Sequence, residues 1–209
     1  MSEQPQGIWM DTPRMGRGIL PEGEPLSERF HAGAQALIAR YPEPRSALLP
    51  MLYLAQSEQG FVSNTAVREI GALIGLTGAE VAAVATFYTM FKRTPQGEWL
   101  VSVCTQPSCA LAGGGELLAR LKETLGIGNG GTTEDGMISL EEVECLCACD
   151  GAPVFSVNYE NYERMSVDDA VDMVRNLRSG GTPPAGARGE TPEGFAQAHR
   201  RLAGMEGLR

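Results

Sequence analysis

Histidine is nearly missing from this chain: His31 and His199 are the only two among 209 residues. Neither stands in ligand spacing to a cysteine, which excludes mixed His/Cys centres such as the Rieske type and leaves each histidine as a surface or helix-face residue. Long apolar runs are missing too. None approaches the ~20 residues needed to span a bilayer, so no direct membrane insertion is expected. Lys and Arg are scarce, 17 against 26 Asp and Glu, for a net charge of −9. Phosphate binding needs clustered cations, so no nucleic-acid partner is expected. The first 25 residues have no apolar signal core, and Glu3, Asp11, Glu22 and Glu24 oppose a transit peptide. The expected location is cytoplasmic.

What the chain does have is periodic structure between two loose ends. Residues 1–25, with Pro5, Pro13, Pro21 and Pro25, are expected to form an extended N-terminal arm. Residues 26–94 read as a small helical bundle. Phe30, Ala34, Leu37, Ile38 and Tyr41 mark the inner face of its first helix, which Pro42 and Pro44 end. A second helix is expected over 45–58. A third begins at Asn64 as its cap and closes at Gly75, and a fourth opens with the capping-box pair Thr77 and Glu80, turning Val81, Val84, Ala85 and Tyr88 inward.

The periodicity changes after Pro95 and Gly97. Residues 95–178 read as strand (98–103), helix (114–125), strand (137–143), strand (154–157), a hairpin partner (159–165) and a last helix from the Ser166 cap to Leu177. That order fits helices layered on a small sheet, so the fold class is α/β with a helical bundle in front. Residues 179–209 carry seven glycines and three prolines and read as a flexible C-terminal tail, within which 195–202 has the spacing of a short helix. The stretch GIGNGG at 126–131 matches a dinucleotide fingerprint in letters only. It follows a helix and leads into a strand, the reverse of what that motif requires, and is a turn.

Five cysteines carry the chemistry: Cys104 and Cys109 in CTQPSC, then Cys145, Cys147 and Cys149 in ECLCACDGAP. In a reducing compartment, grouped thiols are metal ligands or redox catalysts more often than disulfides. A dithiol catalyst needs C-x-x-C, which does not occur here. Structural zinc takes four thiolates as well, commonly in pairs two residues apart, whereas these spacings are C-x4-C and C-x3-C with a cysteine lodged inside. A [2Fe–2S] cluster needs two thiolates per iron, and the two loops, which the element order puts at the same edge of the sheet, are expected to supply them. The neighbouring Glu141, Glu142, Glu144 and Asp150 would disfavour an added electron and lower the potential of such a group.

With CTQPSC, VECLCACDGAP at 143–153 and Ala85-Thr86-Phe87-Tyr88-Thr89-Met90-Phe91 in this order, the chain resembles the thioredoxin-like [2Fe–2S] ferredoxin subunit of respiratory complex I, the 24 kDa or E subunit of NADH-quinone oxidoreductase. The resemblance covers about 26–178. It implies a thioredoxin-like [2Fe–2S] domain at 95–178, a cluster on Cys104, Cys109, Cys145 and Cys149, and no catalytic residues of its own. Cys147 departs from the family's usual glycine and is read as a spare thiol. The implied role is an electron-transfer subunit that exchanges single electrons with FMN on an NADH-oxidising flavin subunit, and through it with the iron–sulfur peripheral arm, at the inner face of the cell membrane. The same motifs suit the diaphorase subunit of a soluble NAD-linked hydrogenase or formate dehydrogenase.

Overall fold

The structure, a computed structural model, describes residues 20–205. Most of the expected arm and the last four residues therefore lie outside it. The described chain divides into two compact units: Trp99–Pro192, and a second made of 20–98 together with 193–205.

The second unit is helical. Helices α1 (Glu28–Ile38), α2 (Leu48–Gln59), α3 (Asn64–Ile74) and α4 (Gly78–Phe87) enclose a core that includes Phe30, Leu37, Met51, Leu52, Ile70 and Val81. Starts and stops follow local chemistry. Ser27 Oγ accepts from the Phe30 N–H at 3.0 Å, and Gly60 and Gly75 end α2 and α3 in the left-handed conformation that glycine adopts without penalty. Thr77 and Glu80 form the expected reciprocal capping box. Three details differ from the sequence reading. Ser63, not Asn64, caps α3, and Asn64 donates to Glu22 instead. A 3-10 turn, Pro44–Ala47, precedes α2 where a continuous helix is expected, because Pro50, in the first turn of α2, has no N–H to donate to Ser46 O. Finally, Tyr88 follows the end of α4 and is 38% exposed.

The tail also departs from expectation. Residues 20–25 and 193–205 both pack on this unit, Leu20 and Met205 being buried in its core. Helix α8 (Phe195–Leu202) lies against α2 and buries Phe195, Ala198 and His199. Phe195, Ala198, His199 and Leu202 recur at helical spacing, and this apolar face outweighs the flanking Gly and Pro. The buried Gln56 is satisfied on both sides, donating to Met90 O at 2.9 Å and accepting from the Lys92 N–H at 2.5 Å.

The other unit is a five-stranded sheet in the order β2-β3-β1-β4-β5, with β1 (Trp99–Cys104), β2 (Gly131–Thr132), β3 (Ile138–Val143), β4 (Val154–Val157) and β5 (Glu160–Glu163). Helices α5 (Pro107–Leu111), α6 (Gly114–Leu125) and α7 (Val167–Arg178) complete it. Strand β1 pairs parallel with β3 and antiparallel with β4, while β4 and β5 form a hairpin. The hairpin turns through Asn158 and Tyr159, both at positive φ, as a tight two-residue connection demands. Phe155, Leu117, Leu121, Ile138, Leu140 and Leu177 fill the core between sheet and helices. Strand β2 and helix α5, each only a few residues long, are additions to the expected order.

Candidate metal centre

Parallel pairing of β1 with β3 brings the two cysteine groups together. Cys104 ends β1 directly opposite Val143, which ends β3, so both following loops leave the sheet at the same end. The Thr105 N–H donates to Val143 O at 3.4 Å. The first loop turns at Pro107 into α5, which carries Cys109, and the chain then reverses at Gly113, φ 99, into α6. Gly114 is the close-approach position: a Cβ there would lie 2.7 Å from Cys104 O and 2.9 Å from Cys109 O. Both contacts are to backbone that cannot yield, so only glycine lets α6 begin behind the two cysteines.

Cys104 and Cys109 are buried with Ala148 and Val154 in a small apolar cluster, partly covered by Leu146 and Ala152. Cys145, Cys147 and Cys149 are exposed. The thiols stand in two groups: Cys104 lies beside Cys109, and Cys145 beside Cys149 and also Cys147. Cys109 also feels the charge of Cys149 across the two loops. Among the described residues, no three Cys, His, Asp or Glu side chains surround a single-ion position. Two soft thiol pairs at one sheet end are the donor set that a two-iron cluster requires.

Backbone N–H groups point at the sulfurs. Val154 donates to Cys109, and the Cys147 N–H donates to Cys145 Sγ at 3.3 Å. Burial, followed by the Cys104 thiol, pushes Cys109 up to about 11. The Cys147 N–H holds Cys145 below the ordinary thiol range, and the nearby Cys145 charge pushes Cys147 up. Cys147 itself stands at φ 58, left-handed backbone that costs a side chain about 1 kcal/mol or more and glycine almost nothing. Three of the four acidic residues near the thiols are engaged: Glu141 and Glu142, near the end of β3, accept from Ser102 at 2.8 Å and Thr105 at 2.7 Å, and Asp150 accepts from Arg188 at 2.5 Å. Arg188 holds the Asp150 carboxyl below its ordinary range. Sequence patterning gave no sign of this partner, which lies in the Gly/Pro-rich segment after α7. Neither histidine belongs to the site: His31 meets Glu69 at 3.2 Å, and His199, expected on a helix face or surface, is wholly buried in α8.

The family described as thioredoxin-like [2Fe-2S] ferredoxin matches residues 34–178. The E subunit of the NADH-quinone oxidoreductase of Mycobacterium tuberculosis is 46% identical over 190 residues, spanning 88% of this chain and 75% of that protein. Subunit 2 of the NADH-quinone oxidoreductase of Thermus thermophilus is 44% identical over 126 residues, spanning 59% of this chain and 70% of that one. Among solved structures, an NAD+-reducing [NiFe]-hydrogenase in the H2-reduced state aligns with a TM-score of 0.56 at 23% identity. That alignment covers 63% of this chain and 22% of the hydrogenase chain, a likeness of fold alone. Two thiol pairs at one end of a mixed sheet, in a chain with these relatives, place it within a known group: the chain belongs to the thioredoxin-like [2Fe–2S] ferredoxin family.

Proposed function

We propose that the chain is the E-type electron-transfer subunit of an NADH-quinone oxidoreductase and holds a [2Fe–2S] cluster on Cys104, Cys109, Cys145 and Cys149. The observation that carries this reading is the convergence of two thiol pairs at one sheet end, in a chain 46% identical over 190 residues to a subunit of that name. When bound, such a cluster accepts and returns one electron at a time. The chain's part is to fix and shield it. Cys104 and Cys109 anchor it against Ala148 and Val154, and the N–H groups of Cys147 and Val154 stabilise the negative sulfurs.

A one-electron carrier is useful beside a group that receives electrons in pairs from hydride and releases them singly. The partner in this reading is an FMN-bearing, NADH-oxidising subunit, and the assembly is peripheral to the cell membrane. No single helix among the described residues is long and apolar enough to cross a bilayer, which is compatible with that placement. The diaphorase alternative rests on the hydrogenase likeness at 23% identity and is the less supported of the two.

The test is EPR on anaerobic protein with iron and sulfide counts, reducing first with dithionite and then with NADH in the presence of the flavin subunit. A rhombic signal from two irons, reached by both routes, is the expected result. A signal with dithionite alone would remove the flavin partner, and no iron at all would remove the cluster. On the same assay, Cys147→Gly should keep both irons and the wild-type signal, since it relieves the φ 58 backbone and takes away no assigned ligand. Loss of the signal in that variant would make Cys147 a ligand.

A further inference from the structure

Beyond α7 the chain does not leave the ferredoxin unit. Residues 182–192 run back along the β4–β5 hairpin, outside the 34–178 stretch that matches the family. Tyr162 Oη donates to Pro184 O at 2.6 Å, the Ala187 N–H donates to Asn161 O at 2.8 Å, and Asn176 Nδ2 donates to Thr182 O at 3.2 Å. Gly186 and Gly189 sit close against Glu160: a Cβ at Gly186 would lie 3.1 to 3.2 Å from Glu160 and Asn161 O, and one at Gly189 would displace the Glu160 carboxylate. This strap delivers Arg188 to the carboxylates of Asp150 and Glu163.

Arg188 Nη2 donates to Asp150 Oδ2 at 2.5 Å and to Glu163 Oε2 at 3.1 Å, and Nε lies 2.5 Å from Glu163 Oε1. The last contact is an ion pair off the N–H line, since Oε1 has no hydrogen bond of its own. Glu163 has a side chain only 7% exposed, and Arg188 and the more distant Arg164 are the cations that face it. Asp150 directly follows Cys149 in the 3-10 turn Cys149–Gly151. The Asp150 carbonyl accepts from Arg164 at 3.1 Å, and Gly151 O accepts from the Arg164 N–H at 2.6 Å. On the other side of the loop, Asn161 Nδ2 donates to Leu146 O at 3.1 Å. The Cys145–Cys149 loop is thus tied at both ends to β5 and its strap.

We propose that Arg188 is a positioning residue for the metal centre: through Asp150 it holds the turn that carries Cys149, and its cation offsets the carboxylates there. The inference rests on Cys149 being a ligand. A fixed positive charge beside the centre favours the added electron, and its loss leaves Asp150 and Glu163 with only the weaker compensation of Arg164, 4.0 Å from Glu163 Oε2.

The measurement is an EPR-monitored redox titration of the cluster-loaded full-length protein, with iron counts on every sample. Arg188→Gln should shift the midpoint negative, a few-fold to about tenfold in the reduction equilibrium, tenfold being about 59 mV for one electron. Arg188→Lys keeps the charge without the fork and should return the midpoint most of the way, while still losing iron to a chelator faster than wild type. Asp150→Asn removes a negative charge and should shift the midpoint positive. Opposite shifts for Arg188→Gln and Asp150→Asn are not produced by general loosening of the loop. An unchanged midpoint in Arg188→Gln, or a negative shift in Asp150→Asn, overturns the proposal. Where Arg188→Gln holds no iron, Asp150→Asn decides alone: a positive shift supports the proposal and no shift overturns it. Wild-type protein without two irons would instead overturn the ligand assignment, and this inference with it.

Discussion

Replacing Cys104 by alanine abolishes the cluster: iron and acid-labile sulfide in the purified protein are expected to fall by roughly tenfold or more, and the reduced-state EPR signal to vanish. Cys104 closes β1 opposite Val143 of β3, one residue beyond the last β1–β4 pair, Val103 with Phe155, and is 2% exposed, so its position is set by the sheet. Of the other thiols at this sheet end, Cys109, Cys145 and Cys149 are themselves proposed ligands, and the spare Cys147 is exposed on the second loop. Alanine supplies no donor, and three thiolates leave one iron short of its pair. The fold should survive. Cutting a buried thiol to a methyl costs on the order of 1 kcal/mol, while the sheet and the core around Phe155 and Leu117 are untouched. Far-UV circular dichroism close to wild type, together with missing iron, is therefore the expected combination. A Cys104→Ala protein that keeps two irons would show that another group binds in its place.

The strand and helix order of the ferredoxin unit was legible because each element announces itself locally. Ser166 caps α7 and accepts from the Asp169 N–H at 3.1 Å, Gly126 closes α6, and β4 spans Val154–Val157 as its run of apolar and β-branched residues implies. The pairs of thiols were legible as spacing. Their convergence at one sheet edge was expected from the element order, whereas the register that realises it, β1 parallel to β3 with Cys104 opposite Val143, was not legible, because no local pattern encodes it. Helix α5 was hidden because it is a single turn, begun by Pro107 and too short to show a period. Composition misled at the C-terminus. The glycines and prolines of 179–194 do interrupt regular structure, but the segment is not free: Thr182, Pro184 and Ala187 are hydrogen-bonded to Asn176, Tyr162 and Asn161. Arg188 and Asp150 are 38 residues apart in sequence, and their pairing follows only once β5 and the strap are in place.

Acid weakens the helical unit through His199. This ring is wholly buried, lies 4.0 Å from the Phe195 ring and 5.7 Å from that of Tyr53 between centroids, and Nδ1 meets Phe195 O at 2.7 Å. The carbonyl can only accept, so the neutral ring carries its proton on Nδ1. Burial first, and the Lys92 charge in addition, lower its pKa to about 4 from 6.5, against the opposing pull of Phe195 O. The folded state therefore binds fewer protons than the unfolded state between those values. Its stabilising effect is complete above about pH 6.5 and is lost as pH falls toward 4. Linkage puts the loss at about 2 kcal/mol by pH 5 and about 3 kcal/mol below pH 4. The ring anchors α8 to α2, so the cost falls on that contact. Urea unfolding of the cluster-loaded protein, followed by far-UV circular dichroism at pH 7 and pH 5, checks the prediction against His199→Gln, which cannot titrate. The variant should start less stable at pH 7 yet lose about 2 kcal/mol less than wild type on going to pH 5, because every other titrating group is common to both proteins. Equal losses in the two proteins would mean that His199 takes up its proton alike in the folded and unfolded states, either because burial does not hold the ring neutral or because α8 releases it to water before the rest of the unit unfolds.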